Sequence, residues 1–127
     1  MNSNKTILVL YKDDGKFYKA KGFDAIILNY LFGYQIINNR VGFPDTAIDK
    51  VREELDKEEI SYQIVYNDIN PLFVNFDNNK YLDILNKANK VYDYKLRIDK
   101  ICERLSNLDN NELDKILSKI ENIIEGL

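Results

Sequence analysis

The chain opens with a short β-branched and apolar run of strand length, Thr6-Ile7-Leu8-Val9-Leu10-Tyr11. Asp13-Asp14-Gly15 is a turn signal, with Gly15 free to take positive φ. Lys16-Phe17-Tyr18-Lys19-Ala20 then returns as an antiparallel partner. From Phe23 the period lengthens: Phe23, Ile26, Ile27, Tyr30 and Leu31 fall on one face of a helix, and Gly33 sits just past its end. Residues 34–37 and 40–43 flank the turn pair Asn38-Asn39 and predict a second hairpin. Pro44 is suited to open the next helix, whose buried stripe is Ile48, Val51 and Leu55. Residues 61–66 alternate as a strand with Tyr62, Ile64 and Tyr66 on one side, and Leu72-Phe73-Val74-Asn75-Phe76 follows the Asn70-Pro71 break as another. The order ββαββαββ predicts an α/β domain, a mixed sheet flanked by helices, over residues 1–77.

The last third is helical in pattern. Tyr81, Ile84, Ala88, Val91, Ile98, Cys102 and Leu105 recur by threes and fours, with Lys95 where an apolar residue is expected. Such a helix would run roughly 40 Å, longer than the α/β part can cover. Asn107-Leu108-Asp109 breaks it, and Asp109 with Glu112 forms a capping-box-like start for a second helix striped by Leu113, Ile116, Leu117, Ile120, Ile124 and Leu127. Residues 78–127 are therefore expected to form a helical hairpin packing on the α/β domain or on a second subunit. Val91, Ile98, Cys102 and Leu105 are the candidate interface positions for a homodimer or a protein partner. Lys95 on the seam is the kind of residue that sets a coiled-coil register. The alternative for Cys102 is a buried apolar role.

At 127 residues the chain is large enough to bury a core without disulfides, and no apolar run reaches the length of a membrane span. The first residues lack signal-peptide architecture, and a lone cysteine suits a reducing cytoplasm. Histidine is absent, which removes the commonest general base and metal ligand. No cofactor, metal or catalytic role is expected. The carboxylates Glu53, Glu54, Glu58 and Glu59 fall on a solvated helix face. The net charge of −3 argues against a generic polyanion binder. Locally the balance reverses: Lys5, Lys12, Lys16, Lys19 and Lys21 against Asp13 and Asp14 leave +3 over the first 21 residues. With Arg40, these lysines are candidate phosphate contacts. Tyr11, Tyr18, Tyr62 and Tyr66 on one sheet face would make a base-stacking platform; half-buried core tyrosines are the alternative. Phe17 likewise reads either as a stacking aromatic or as a residue packed beneath the sheet.

Two segments go beyond pattern. Gly15-Lys16-Phe17-Tyr18-Lys19-Ala20-Lys21-Gly22-Phe23-Asp24-Ala25 resembles the G-x-F-Y-E-x-F-x-x-D-A motif of the N-terminal mismatch-recognition domain of the MutS family. Val41-Gly42-Phe43-Pro44-Asp45-Thr46-Ala47-Ile48-Asp49-Lys50-Val51 resembles the G-[IV]-P-x-x-A segment of the same domain, in register with the first. The resemblance covers roughly residues 5–76 and implies a mixed sheet flanked by helices that contacts DNA. In that family the motif's Phe stacks on a mispaired base and its Glu hydrogen-bonds it. Phe17 matches the Phe, and Lys19 stands where the Glu would be. A carboxylate accepts a hydrogen bond from a base, whereas lysine only donates. The resemblance therefore implies DNA contact without mismatch reading, as in those family subunits that keep the Phe-Tyr pair and lack the Glu. The phosphate-cradling Gly-x-x-x-x-Gly-Lys-[Ser/Thr] loop of the family's ATPase does not occur in this sequence.

Overall fold

The computed structural model describes residues 6–12, 15–66 and 69–127. Lys5, Asp13 and Asp14, read above as part of the basic stretch and its turn, lie outside the described residues. The chain forms β1 (Leu8–Lys12), β2 (Phe17–Lys21), α1 (Phe23–Phe32), β3 (Arg40–Pro44), a 3-10 turn (Asp45–Ala47), α2 (Ile48–Lys57), β4 (Tyr62–Tyr66), β5 (Ile69–Val74), α3 (Lys80–Ser106) and α4 (Asn110–Glu125). It divides into two compact units, Met1–Tyr92 and Asp93–Leu127; α3 begins in the first and ends in the second.

The first unit is an α/β fold on one mixed sheet of order β3-β2-β1-β4-β5. β1 pairs parallel with β4, and the other three pairings are antiparallel. Pro71 is accommodated because β5 is an edge strand, where a missing N–H leaves no neighbour unpaired. One sheet face is the core. Leu8 and Leu10 of β1, Tyr18 and Ala20 of β2, Val41 and Phe43 of β3, and Tyr62 and Ile64 of β4 are all buried. They share one apolar cluster with Ala25, Ile27 and Leu28 of α1, Val51 and Leu55 of α2, and Tyr81, Ile84 and Leu85 of α3. The first turns of α3 are thus part of the α/β core.

Pro44 ends β3 rather than opening a helix, β5 runs through the expected Asn70-Pro71 break and stops at Val74 rather than Phe76, and two larger expectations are also corrected. Residues 34–36 are not a strand; a single bridge joins Ile37 to Arg40. The turn itself is as expected, with φ of 52° at Asn38 and 64° at Asn39, the left-handed pair that a two-residue hairpin connection requires. The strand fails because Tyr34 is drawn into a stack, its ring lying 5.3 Å from Phe32 and 5.5 Å from Phe43. The buried face of α1 is also rotated from the predicted stripe. Asp24, Ala25, Ile27 and Leu28 point inward, while Phe23 is 49% exposed.

The cause of that rotation is Asp24. Tyr11 pairs with Lys19, so Val9 would face Lys21 if the β1–β2 ladder continued. Instead the Val9 amide donates to Asp24 Oδ2 at 3.1 Å, and the Tyr81 hydroxyl donates to Oδ1 at 2.7 Å. Both oxygens of a nearly inaccessible carboxylate are thereby satisfied, tying β1, α1 and α3 together. Burial, and then the neighbouring Asp24, pushes the Tyr81 phenol far above its ordinary range. Gly22, at φ 63°, makes the tight entry into α1 possible, and the left-handed Gly33 closes it.

The second unit is a pair of helices joined by a short turn. The Asp109 side chain accepts from the Glu112 amide at 2.9 Å, the cap that the sequence predicts. That bond holds the Asp109 carboxyl below its usual range.

Candidate functional site

Pleat and register divide the candidate residues between the two faces of the sheet. Tyr18, Tyr62 and Tyr66 lie on the core face with Lys12, whereas Tyr11 lies on the opposite face. The four tyrosines therefore do not form one platform. Three of them serve the core: Tyr18 stacks on Phe43, meets Tyr66 edge-on, and its hydroxyl is hydrogen-bonded to that of Tyr66. With Phe32 and Tyr34 these rings form a continuous run of four stacked rings, closed by the edge-on Tyr66, from the end of α1 to β4. Burial raises the pKa of Tyr18, and the Tyr66 hydrogen bond adds to the shift. The Tyr62 hydroxyl accepts from Arg52 Nε and donates to Asp56, each at 3.1 Å, so it too is structural.

Lys12 is committed to the same cluster. Its Nζ lies 3.1 Å from Asp45 Oδ2 and sits over the rings of Tyr18 and Tyr66. A lysine already paired with a carboxylate has little charge to offer a phosphate. Lys16 is exposed on the loop before β2, and its carbonyl accepts from the Asp45 amide at 2.8 Å.

The opposite face collects the remaining candidates. Cross-strand partners share a face in an antiparallel pair. The pairs Tyr11–Lys19, Phe17–Pro44, Lys19–Gly42 and Lys21–Arg40 therefore place Tyr11, Phe17, Lys19, Lys21 and Arg40 together. Val9, Gln63, Val65 and Phe73 complete the surface on the β4–β5 side. None of these residues is buried; Phe17 is 54% and Phe73 51% exposed. The strand positions of this face hold no carboxylate, and among the described residues Lys19, Lys21 and Arg40 form no ion pair. Lys21 and Arg40 are directly opposed like charges, an arrangement that costs stability unless an anion lies between them. Lys21 also lies 6.0 Å from the Tyr11 ring centroid.

At the β3 edge, Lys19, Arg40, Val41 and Gly42 join Tyr34, Gln35 and Ile37 around an open depression of about 410 Å³. Gly42 leaves its floor free of side chain. Sequence reasoning missed Phe73, whose face becomes evident only once β5 is registered on β4. It also missed the depression, which depends on the irregular run beside β3.

Of the proposed interface residues, Ile98 and Cys102 are exposed on α3, Val91 is partly exposed, and Leu105 is half-buried. Cys102 is thus not the buried apolar residue its spacing suggests. Two helices cannot enclose the stripe on which it lies.

No group of three or more His, Cys, Asp or Glu among the described residues could hold a metal ion. No helix among them is long and apolar enough to cross a membrane. Comparison of the chain with protein-family models and with curated proteins finds no match.

Proposed function

We propose that this chain is a non-catalytic module that binds nucleic acid on the solvent-facing side of its sheet. One observation carries the reading. On a chain of net charge −3, three cations without ion-pair partners among the described residues lie near Tyr11 and Phe17 on a strand surface free of acids, and Phe73 stands on the same face at the far edge of the sheet. Aromatic faces and backbone-neutralising cations are the two components of a single-strand platform. The resemblance of residues 15–25 and 41–51 to the MutS mismatch-recognition domain supports the same surface, because it assigns the stacking role to Phe17. Lys19 in place of the family's Glu removes the acceptor for a mispaired base. Binding is then structure-sensing rather than mismatch-specific.

The test is fluorescence anisotropy with single-stranded, matched and mismatched oligonucleotides over a salt series. Phe17→Ala should weaken binding by about 1–3 kcal/mol, the worth of one stacked base. Lys21→Glu with Arg40→Glu should abolish it and flatten the salt dependence. Matched and mismatched duplexes should bind alike. Binding that is absent at low salt, or indifferent to both variants, would remove the proposal.

A second reading, a protein-interaction module, rests on a separate observation: residues 93–127 contain no buried residue, although their helices are striped with isoleucine and leucine. Partner docking or self-association through that unit is compatible with the sheet face acting on nucleic acid.

A further inference from the structure

We infer that Asp93–Leu127 pairs with the same segment of a second copy of this chain, as a four-helix assembly in which α3 of one copy runs antiparallel to α4 of the other. The inference rests on the reading of this unit as an interaction module and commits it to one occupant. A pair of helices covers each apolar stripe from one side only. Leu105, Leu108, Leu113, Ile116 and Ile120 are accordingly half-buried. Tyr94, Ile98, Ile101, Leu117, Ile123 and Ile124 are each between 41% and 68% exposed. An open hollow of about 280 Å³, lined by Ile101, Leu105, Leu108, Ile116 and the Arg104 stem, runs along this seam.

Area and charge both point to a second copy. At roughly 150 Å² for a whole large side chain, those six leave about 500 Å² of apolar surface per copy. A stable homodimer of ~800 Å² per partner, roughly 65% apolar, needs about that much. Along one flank of the α3 stripe stand Arg97 and Arg104, seven residues apart; along one flank of the α4 stripe stand Asp114 and Glu121, also seven apart. An antiparallel register that sets Arg97 against Glu121 sets Arg104 against Asp114, and the same register sets Tyr94 against Ile124 and Ile101 against Leu117. Apolar and charged rows therefore agree on one alignment. Among the described residues these four charges form no ion pair within the chain, so they are available to a partner. Each copy presents both a basic and an acidic row, which is the self-complementarity a two-fold dimer requires.

The test is light scattering on the full chain and on two charge-reversed variants, Arg97→Glu with Arg104→Glu, and Asp114→Arg with Glu121→Arg. The native chain should be a dimer at high micromolar concentration. Each variant alone should be a monomer, and an equimolar mixture should restore a dimer, because each repelling row then meets its opposite. Variants that dimerise alone as the native chain does, or a mixture that stays monomeric, overturn the inference. A native monomer also overturns it, and a hydrophobic dye then separates the two ideas. Dye binding that disappears in Ile98→Asp with Ile101→Asp leaves the docking reading standing without self-association. No dye binding removes both.

Discussion

The two units solve the same problem in opposite ways. Among the described residues, every buried apolar side chain lies at or before Ala88, in a core built from five strands and three helices. From Asp93 onward none of the residues is buried, and order in that unit rests on helix propensity, half-covered stripes and the Asp109 cap. The backbone shows the same division. All non-glycine residues with positive φ among the described residues, Asn38, Asn39, Glu59 and Asp77, belong to the first unit. Strained backbone persists only where surrounding packing over-determines it. The first unit encloses its apolar residues; the second leaves its stripes half-covered.

The sharpest way to break this contrast is to remove the polar pin inside the core. Asp24→Ala leaves the Val9 amide and the Tyr81 hydroxyl without acceptors in a site from which water is excluded. Each lost bond to a carboxylate is worth roughly 1.5–3 kcal/mol, so a loss of about 3 kcal/mol or more is expected in urea denaturation. Hydrogen exchange should show faster opening throughout residues 8–88 and unchanged protection in α4. Equal loosening of both units would mean that they fold as one cooperative body.

Alkaline pH should divide them in the same direction with a smaller effect. The phenols of Tyr18, Tyr62 and Tyr81 are all raised above their ordinary range, burial being the first cause in each case. The unfolded chain would ionise these groups near pH 10, whereas the folded chain keeps them neutral. Their contribution is therefore complete below about pH 10 and is lost progressively as the pH rises toward the folded values. The urea midpoint of the first unit should fall on going above pH 10, and Tyr81→Phe should flatten that fall. A midpoint independent of alkaline pH would show that these hydroxyls are not held in the folded state.

The same contrast explains what was legible in the sequence. Local devices could be read directly: the Asn38-Asn39 turn, Gly33 after α1, the Val51 and Leu55 stripe, and Asp109 with Glu112 all follow from neighbours within a few residues. The mixed sheet and the terminal helix pair followed from their order. What could not be read depends on residues distant in the chain. The rotation of α1 turns Asp24 inward onto partners distant in the chain, Val9 and Tyr81, the latter 57 positions away. The division of the tyrosines between faces needs the register of β1 on β4 as well as on β2. At the candidate site, Phe17, Lys19, Lys21 and Arg40 could be named from sequence. Their common face, the pairing of Lys12 with Asp45, and the placement of Phe73 on that face required the assembled sheet.

The finest test concerns the strain that only the first unit can hold. Just past the end of α2, Glu59 lies at φ 55°. The Glu59 amide donates to the Asp56 carbonyl at 3.1 Å, and the Ile60 amide to the Leu55 carbonyl at 3.0 Å. These two bonds are the Schellman closure, and the apolar contact that accompanies it is present, since Ile60 and Leu55 are both fully buried. Glycine is the usual residue at Glu59's position because a Cβ in left-handed backbone costs about 1–2 kcal/mol. Glu59→Gly removes that cost and gives back part of it through the greater freedom of the unfolded chain. A net gain of about 1 kcal/mol is expected, seen as a higher urea midpoint with an unchanged slope. If the variant is instead less stable, the Glu59 side chain supplies an interaction that outweighs its backbone strain. The turn would then be held by that side chain rather than by the packing of Leu55 and Ile60 beneath it.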